Sequence, residues 1–321
     1  MWFLAGDIGG TNTRLLACQC DDVHLEKTVS QYYASQDYAC FSDVLRIFCD
    51  ELKLDQIKAA CFAVAGPVSQ GVAKITNLPW QIDSHEIMAA LDTKQVSLIN
   101  DFAGVAQGIE VLAEDAFEVI QPAVASQGSR VVLGAGTGLG VAIISAQGEI
   151  IHSEGGHSGF APTDTEEHAL LDYWQAKLPR VSNETFLSGE GIKRIYEFYR
   201  ERLPQQVDPS IPLEAKAINE QAKTYKQPVA LKTLQRFAAI YASVAADLAL
   251  ITRASGGVYL AGGIAPTILP FLQSDAFVQA FNHKPPMQAL LAKIPVKVIL
   301  DTQVGLLGAL NYARKRHDHI I

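Results

Sequence analysis

Several short runs in this chain hold residue types that do phosphate and hydroxyl chemistry. The first is Gly6-Asp7-Ile8-Gly9-Gly10-Thr11-Asn12, directly behind the apolar residues 2–5. Glycine lets backbone amides approach an anion closely, and threonine adds a hydroxyl donor. The lysine of a P-loop is absent, and β-type rather than helical residues follow, so neither the Gly-Lys-Ser/Thr signature nor the dinucleotide fingerprint is met. A carboxylate at Asp7 repels phosphate unless a cation lies between them. Mg²⁺ held directly or through water meets that constraint, with an ordinary turn aspartate as the alternative. Arg14 is expected past the turn, on the second strand, and outside the site.

The pattern recurs in Gly134-Ala135-Gly136-Thr137-Gly138-Leu139-Gly140, again an apolar strand, a glycine turn with threonine, and a second apolar strand. A third glycine turn, Gly262-Gly263, follows the apolar residues 257–261. The repeat suggests an internal duplication, each hairpin turning backbone amides toward a ligand shared between the halves. Two plain hairpins are the simpler alternative.

Asn100-Asp101 stands where a short apolar strand stops and a helical run begins at Phe102. An aspartate there is often an N-cap. The carboxyl end of a strand in an open α/β sheet is also where ligands bind, and a carboxylate so placed can accept a hydroxyl proton. Glu154-Gly155-Gly156-His157 supplies acceptors and donors on either side of a flexible pair, as polyol recognition requires. A zinc site is the competing reading. The spacing of His152, His157 and His168 fits no standard zinc set, and no cysteine follows Cys61. Glu184, in Val181-Ser182-Asn183-Glu184, reads on composition as surface charge.

The elements that must position these residues alternate between strand and helix. Strands are expected over 2–6, 13–18, 58–64, 96–99, 257–261 and 296–300, with two more in the hairpin 129–145. Helices are expected over 41–52, from 102, and over 165–178, 190–202, 213–224, 228–254 and 303–316. Residues 75–80 read as an exposed loop. This is an α/β pattern, helix-enriched in its second half.

Across 321 residues the chain is 49% apolar and 19% charged, with a net charge of −8. That balance argues against a nucleic-acid surface, which needs clustered lysine and arginine. The one dense basic cluster, Arg314-Lys315-Arg316-His317, complements the end of a helix. Lys232, Arg236, Asp247 and Arg253 interrupt the longest apolar stretch, which suits a buried helix rather than a membrane span. No secretory signal is expected, because the N-terminal apolar run is short and lacks a basic flank. All five cysteines fall within the first 61 residues without a Cys-x-x-Cys pair, as in a cytosolic protein with reduced thiols.

These runs occur in order together with Ile99-Asn100-Asp101-Phe102, Phe160-Ala161-Pro162, Leu187-Ser188-Gly189 and Leu260-Ala261-Gly262-Gly263-Ile264. The set resembles bacterial ATP-dependent glucokinase, in the non-zinc group of the actin-like sugar kinase superfamily, and does so essentially end to end. The resemblance implies a duplicated α/β fold of the actin-like ATPase (ribonuclease H-like) type, with two domains around a cleft. A small domain would comprise residues 1–108 plus 301–321, and a larger helix-rich one residues 109–300. It further implies Asp101 as catalytic base, and Asn100, Asp101, Glu154, His157 and Glu184 as sugar ligands. Gly6, Asp7, Ile8, Gly9, Gly10, Thr11 and Asn12 match the first phosphate loop. Gly136, Thr137 and Gly138 match the second, and Gly262 and Gly263 the adenosine region. Glucose and ATP with Mg²⁺ are the implied reactants of a cytoplasmic homodimer engaging neither nucleic acid nor membrane.

Where the repressor-and-kinase branch carries a cysteine-rich zinc motif after its histidine, this chain has none after His157, and no helix-turn-helix segment is expected before Gly6. A kinase for mannose, fructose or an amino sugar stays open, as do a non-catalytic sugar sensor, an actin- or chaperone-like ATPase, and polyphosphate as donor.

Overall fold

Short β-branched runs alternating with helical ones give a mixed α/β chain that divides into two units, Met1–Glu114 with Gln303–Ile321, and Asp115–Thr302. The computed structural model describes residues 1–20, 25–75, 78–206 and 212–318. Strands of the first unit are β1 (Trp2–Ile8), β2 (Asn12–Cys20), β3 (Leu25–Ala34), β4 (Ile57–Val64), the short β5 (Val68–Ser69), β6 (Val72–Lys74) and β7 (Gln81–Asp83), and β8 (Val96–Asn100). The second unit contains β9 (Phe117–Gln121), β10 (Arg130–Ala135), β11 (Leu139–Ile144), β12 (Ile150–Ser153), β13 (Gly257–Ala261) and β14 (Val296–Ile299).

The main sheet of the first unit has the order β3-β2-β1-β4-β8, and that of the second β12-β11-β10-β13-β14, with β9 added at the edge. Each begins as an antiparallel meander, and its central hairpin strand then pairs in parallel with later strands. The expected duplication is thus present as repeated topology. β5, β6 and β7 form a separate small sheet.

Helix Phe41–Leu52 buries Phe41, Val44, Leu45 and Phe48, an i, i+3, i+4, i+7 stripe, against a core that includes Leu4, Ile8 and Phe62. The equivalent element of the second unit is Pro228–Thr252, which opens on proline, with the Gln227 side chain accepting from the Ala230 N–H. It closes at Arg253 in the left-handed region, φ 49°. By length and composition it is apolar enough to cross a membrane, yet it is the central core helix of this unit. Its Tyr241 hydroxyl donates to the Leu133 carbonyl at 3.1 Å and accepts from the Ala135 N–H at 3.3 Å, so it pins the end of β10.

Two expectations need revision. Residues 75–80 are not simply exposed: Ile75 and Trp80 are buried, Ile75 N–H donates to the Trp80 carbonyl, and the Trp80 indole N–H donates to the Tyr38 carbonyl at 3.2 Å. Thr76 and Asn77 lie outside the described residues. The basic cluster does occupy the last turn of helix Val304–Asp318, but it also makes specific contacts. Lys315 pairs with Glu110 at 2.6 Å, Arg316 reaches Ser97 and Tyr312, and the His317 ring meets Phe3 edge-on.

That last helix crosses helix Asp101–Gly108 at a separation set by glycine. A Cβ on Gly308 would lie 1.8 Å from the Gly104 carbonyl oxygen, and one on Gly108 would lie 2.1 Å from that of Val304. Gly308→Ala must therefore push the helices apart and cost about 1–3 kcal/mol by overpacking. Urea unfolding of the full chain reads this directly, and a wild-type midpoint for the variant contradicts the crossing described.

Candidate active site

In the first unit β1 and β2 pair up to Ile8 opposite Thr13, leaving residues 9–11 as the turn. Gly9 N–H donates to the Asn12 carbonyl at 2.8 Å. Ser35 supports the turn. Its N–H donates to the Thr11 carbonyl and its hydroxyl to the Gly9 carbonyl, both at 2.9 Å, and the same hydroxyl lies 3.0 Å from the buried Thr13 hydroxyl. The Tyr32 hydroxyl donates to Asn12 Oδ1. With these carbonyls occupied by protein donors, the side chains of Thr11 and Asn12 remain exposed at the tip.

Gly6, Asp7 and Ile8 belong to β1 rather than to the turn, a correction to the expected loop. Gly6 pairs with Leu15 and Phe62 within the sheet, and the position takes glycine because a Cβ there would lie 2.6 Å from Phe62 Cδ1. Ile8 is a core residue whose carbonyl accepts from the Ala65 N–H. Asp7 is opposite Arg14 in the β1–β2 register, so the two side chains leave the same face of the sheet. Arg14, set aside on sequence grounds, is thus a neighbour of the Asp7 carboxyl. A Cβ on Gly305, in the first turn of helix Val304–Asp318, would lie 3.9 Å from Asp7 Oδ2.

Asp101 is the first residue of helix Asp101–Gly108, at the carboxyl end of β8. The capping role falls to Asn100, whose Oδ1 accepts from the Phe102 N–H at 2.9 Å. Asp101 Oδ1 accepts from the same N–H at 2.9 Å. Burial pushes the Asp101 carboxyl up to about 6, the Phe102 hydrogen bond opposes that shift, and the nearby Asp7 charge adds to it. Asp7 itself is raised by burial and drawn back by Arg14. Both carboxyls keep some solvent access while protein packs closely around them. Helix N-termini favour the ionised form of Asp101 and the neighbouring Asp7, so burial is the larger effect.

In the second unit β10 and β11 are joined by the turn Gly136–Gly138, in which the Gly136 N–H donates to the Gly138 carbonyl at 2.8 Å. Gly189 N–H, at the start of helix Gly189–Arg202, donates to the Gly136 carbonyl at 2.8 Å. Ser188 caps this helix by accepting from the Gly191 N–H. Glu184 is on the one-turn helix Asn183–Phe186, and its Oε2 accepts from the Leu139 N–H at 2.8 Å. Its Oε1 faces His157 Nδ1 at 3.8 Å. Glu184 is therefore a joined, half-buried group rather than free surface charge.

Glu154 precedes the tight turn Gly155–His157 and accepts there, through its carbonyl, from the His157 N–H at 3.0 Å. Gly156 must be glycine, since a Cβ would sit 2.0 Å from the Leu139 carbonyl oxygen. The following residues are held to the Glu184 segment. Asn183 N–H donates to the Ser158 carbonyl, its amide to the Ser158 hydroxyl, and Phe160 packs edge-on against Phe186. Gly262, φ +82°, ends β13 beside β10, and a Cβ there would lie 2.4 Å from the Ala135 carbonyl oxygen.

The expected residues thus gather as two sets, one per unit. Asp7, the 9–12 turn, Asn100 and Asp101 form the first. Gly136 to Gly138, Glu154, His157, Glu184, Gly262 and Gly263 form the second. Sequence reasoning missed Arg14, Ser35, Tyr241 and Gly305. Arg14 was within reach, because a turn confined to residues 9–11 puts residue 14 opposite residue 7. Among the described residues no three His, Cys, Asp or Glu side chains are grouped to hold a metal ion. Asp7, one carboxylate with another close by, suits Mg²⁺, which keeps water and phosphate oxygens as most of its ligands.

A profile of the family described as Glucokinase matches residues 4–316. A curated glucokinase of Synechocystis sp. is 36% identical over 342 residues, covering 96% of this chain and 96% of its own. A crystal structure of glucokinase from an Antarctic psychrotroph aligns with a TM-score of 0.86 at 30% identity, covering 98% of this chain and 99% of that one. A ROK family glucokinase from Streptomyces griseus, solved in complex with glucose and AMPPNP, aligns at 0.65 with 18% identity over 98% and 100% of the two chains. The last likeness concerns fold alone. The repeated sheets are those of the actin-like ATPase fold.

The titration of Asp101 gives a test that needs no substrate. Its native carboxyl titrates near 6 against 3.8 when unperturbed, so ionising it costs the folded state more than the unfolded one. The stability present below about pH 4 is lost as pH rises through 6. Asp101→Asn removes that cost and is expected to be more stable than wild type by about 3 kcal/mol at pH 8, with the difference largely gone below pH 4. Denaturant unfolding at both pH values measures it, and equal stabilities at pH 8 contradict the raised titration.

Proposed function

The chain belongs to the glucokinase family and is a glucose-phosphorylating kinase, and we propose that Asp101 is the general base through which ATP phosphorylates the 6-hydroxyl. The observation that carries this reading is the Asp101 carboxyl itself. It stands at a strand's carboxyl end and at the start of a helix, and it titrates near 6. A base with a pKa just below neutrality is ionised at working pH, yet basic enough to take a hydroxyl proton as the oxygen attacks phosphorus.

In this reading Asn100, Asp101, Glu154, His157 and Glu184 bind the sugar hydroxyls. The 9–12 turn and Gly136 to Gly138 bind phosphates through amides and through the Thr11 and Thr137 hydroxyls. Gly262 and Gly263 let the backbone lie flat beside the adenosine. Mg²⁺ bound with the nucleotide supplies the charge neutralisation that no lysine provides in the first turn, and Asp7 is the residue suited to hold its water shell. The glucose and AMPPNP of the Streptomyces griseus structure support the same pair of ligand classes on this fold. The reading further includes a cytoplasmic homodimer acting at the entry of glucose into breakdown, and light scattering on the purified chain tests the dimer.

Asp101→Asn is expected to lower kcat by about 10²–10⁴ while calorimetric glucose affinity stays within a few-fold of wild type. Near-normal turnover in that variant overturns the assignment. In the wild type, kcat/KM is expected to fall tenfold per pH unit below about 6, as the base takes up its proton. A coupled ADP-release assay over glucose, mannose, fructose and glucosamine is expected to give glucose the highest kcat/KM.

A further inference from the structure

We infer that Glu184 is a positioning residue for the second phosphate turn as well as a sugar ligand, and that it couples glucose binding to nucleotide binding within the second unit. The inference rests on the functional reading above, in which Glu184 meets the sugar. Its carboxylate is used from both sides. Oε2 accepts from the Leu139 N–H at 2.8 Å, at the exit of the turn Gly136–Gly138. Oε1 points toward His157 Nδ1 at 3.8 Å, too long for a hydrogen bond, and is available to a ligand hydroxyl. The side chain is 32% exposed, so it retains freedom that a bound ligand removes.

The tie continues through the backbone of the same segment. Five residues after Glu184, the Gly189 N–H donates to the Gly136 carbonyl, and between them the Ser188 hydroxyl donates to the Glu184 carbonyl at 3.0 Å. The turn is thus gripped at its entry by Gly189 and at its exit by the Glu184 side chain. The two oxygens of a carboxylate are one rigid plane. A sugar hydroxyl that fixes Oε1 also fixes Oε2, so the ordering cost of the Leu139 bond is met before the nucleotide arrives. By linkage, nucleotide in turn raises glucose affinity by the same factor. Gly138 keeps the joint tight. A Cβ there would lie 2.5 Å from Glu184 Oε2, and its φ is not in the left-handed region, so alanine is admissible to the backbone and disturbs the carboxylate instead.

Two measurements on the full chain test this. In hydrogen exchange of the wild type without nucleotide, saturating glucose is expected to slow exchange in peptides spanning residues 136–140. In calorimetry, glucose is expected to tighten AMPPNP binding by about 3–10-fold, from the order of one side chain's ordering cost. In Gly138→Ala, which alters a turn that itself meets phosphate, the ratio of AMPPNP affinities with and without glucose is expected to fall close to one, whatever the loss in absolute affinity. A general loosening of the fold weakens both ligands without abolishing their coupling, so the factor separates positioning from structural damage. Glucose that binds without protecting residues 136–140, or a coupling undiminished in Gly138→Ala, overturns the inference and leaves the functional reading intact. Absence of any glucose binding to the wild type overturns the functional reading, and the coupling with it.

Discussion

Two helices of the first unit cross at a distance that only glycine permits, and each of them starts beside one carboxyl of the candidate site. Gly104 and Gly108 on one helix meet Val304, Gly305 and Gly308 on the other, backbone against backbone. The first helix opens with Asp101, and the second brings its first turn up to Asp7. Interiors are close-packed, so a side chain inserted anywhere along this crossing shifts whole helices rather than one neighbour. Asp101 is therefore aimed by a contact that reaches along its entire helix. Burial at the start of that helix and the nearby Asp7 charge raise its titration.

The second unit repeats the sheet order but anchors its glycine turn by other means. Polar side chains do there what glycine backbones do in the first unit. Tyr241, fully buried in the core helix, hydrogen-bonds both the carbonyl of Leu133 and the N–H of Ala135, just before the turn. Buried polar groups need partners, and here the partner is the backbone at the end of β10. Glu184 and Gly189 hold the turn itself. The duplication preserved topology and the placement of the turns, while the supports diverged.

Most element types were legible because their periodicities are strong. The 41–52 stripe and strand 257–261 were found with their observed bounds. The strand limits around the first turn were not, because glycine and aspartate in Gly6-Asp7 carry turn propensity that sheet packing overrides. Position 6 takes glycine since Phe62 occupies the space a Cβ needs, and sequence does not show that contact. Strand β3 and the small sheet escaped for lack of clear alternation. The chemistry-bearing types Asp101, Glu154 and His157 were singled out through spacing and resemblance, and Glu184 through resemblance alone. Their supports, Ser35, Tyr241 and Gly305, were not, since each acts across more than twenty residues of sequence or in another element.

The turn without a lysine makes sense once the charges around it are counted. Here Arg14 is a fixed cation on β2, but its register partner is Asp7, whose ionisation it favours. With Asp101 ionised as the proposed base, the Asp7 carboxyl stands beside it as a second acid against the Arg14 guanidinium. Phosphate brought alone into such a field is repelled. In the proposed reading a divalent cation arriving with the nucleotide reverses the balance, whereas a second permanent cation would hold Asp101 so far toward its ionised form that it would be a poorer base. Arg14 is thus set against Asp7, while Asp101 stays raised. On the proposed reading, phosphate neutralisation falls to a charge present only when the nucleotide is.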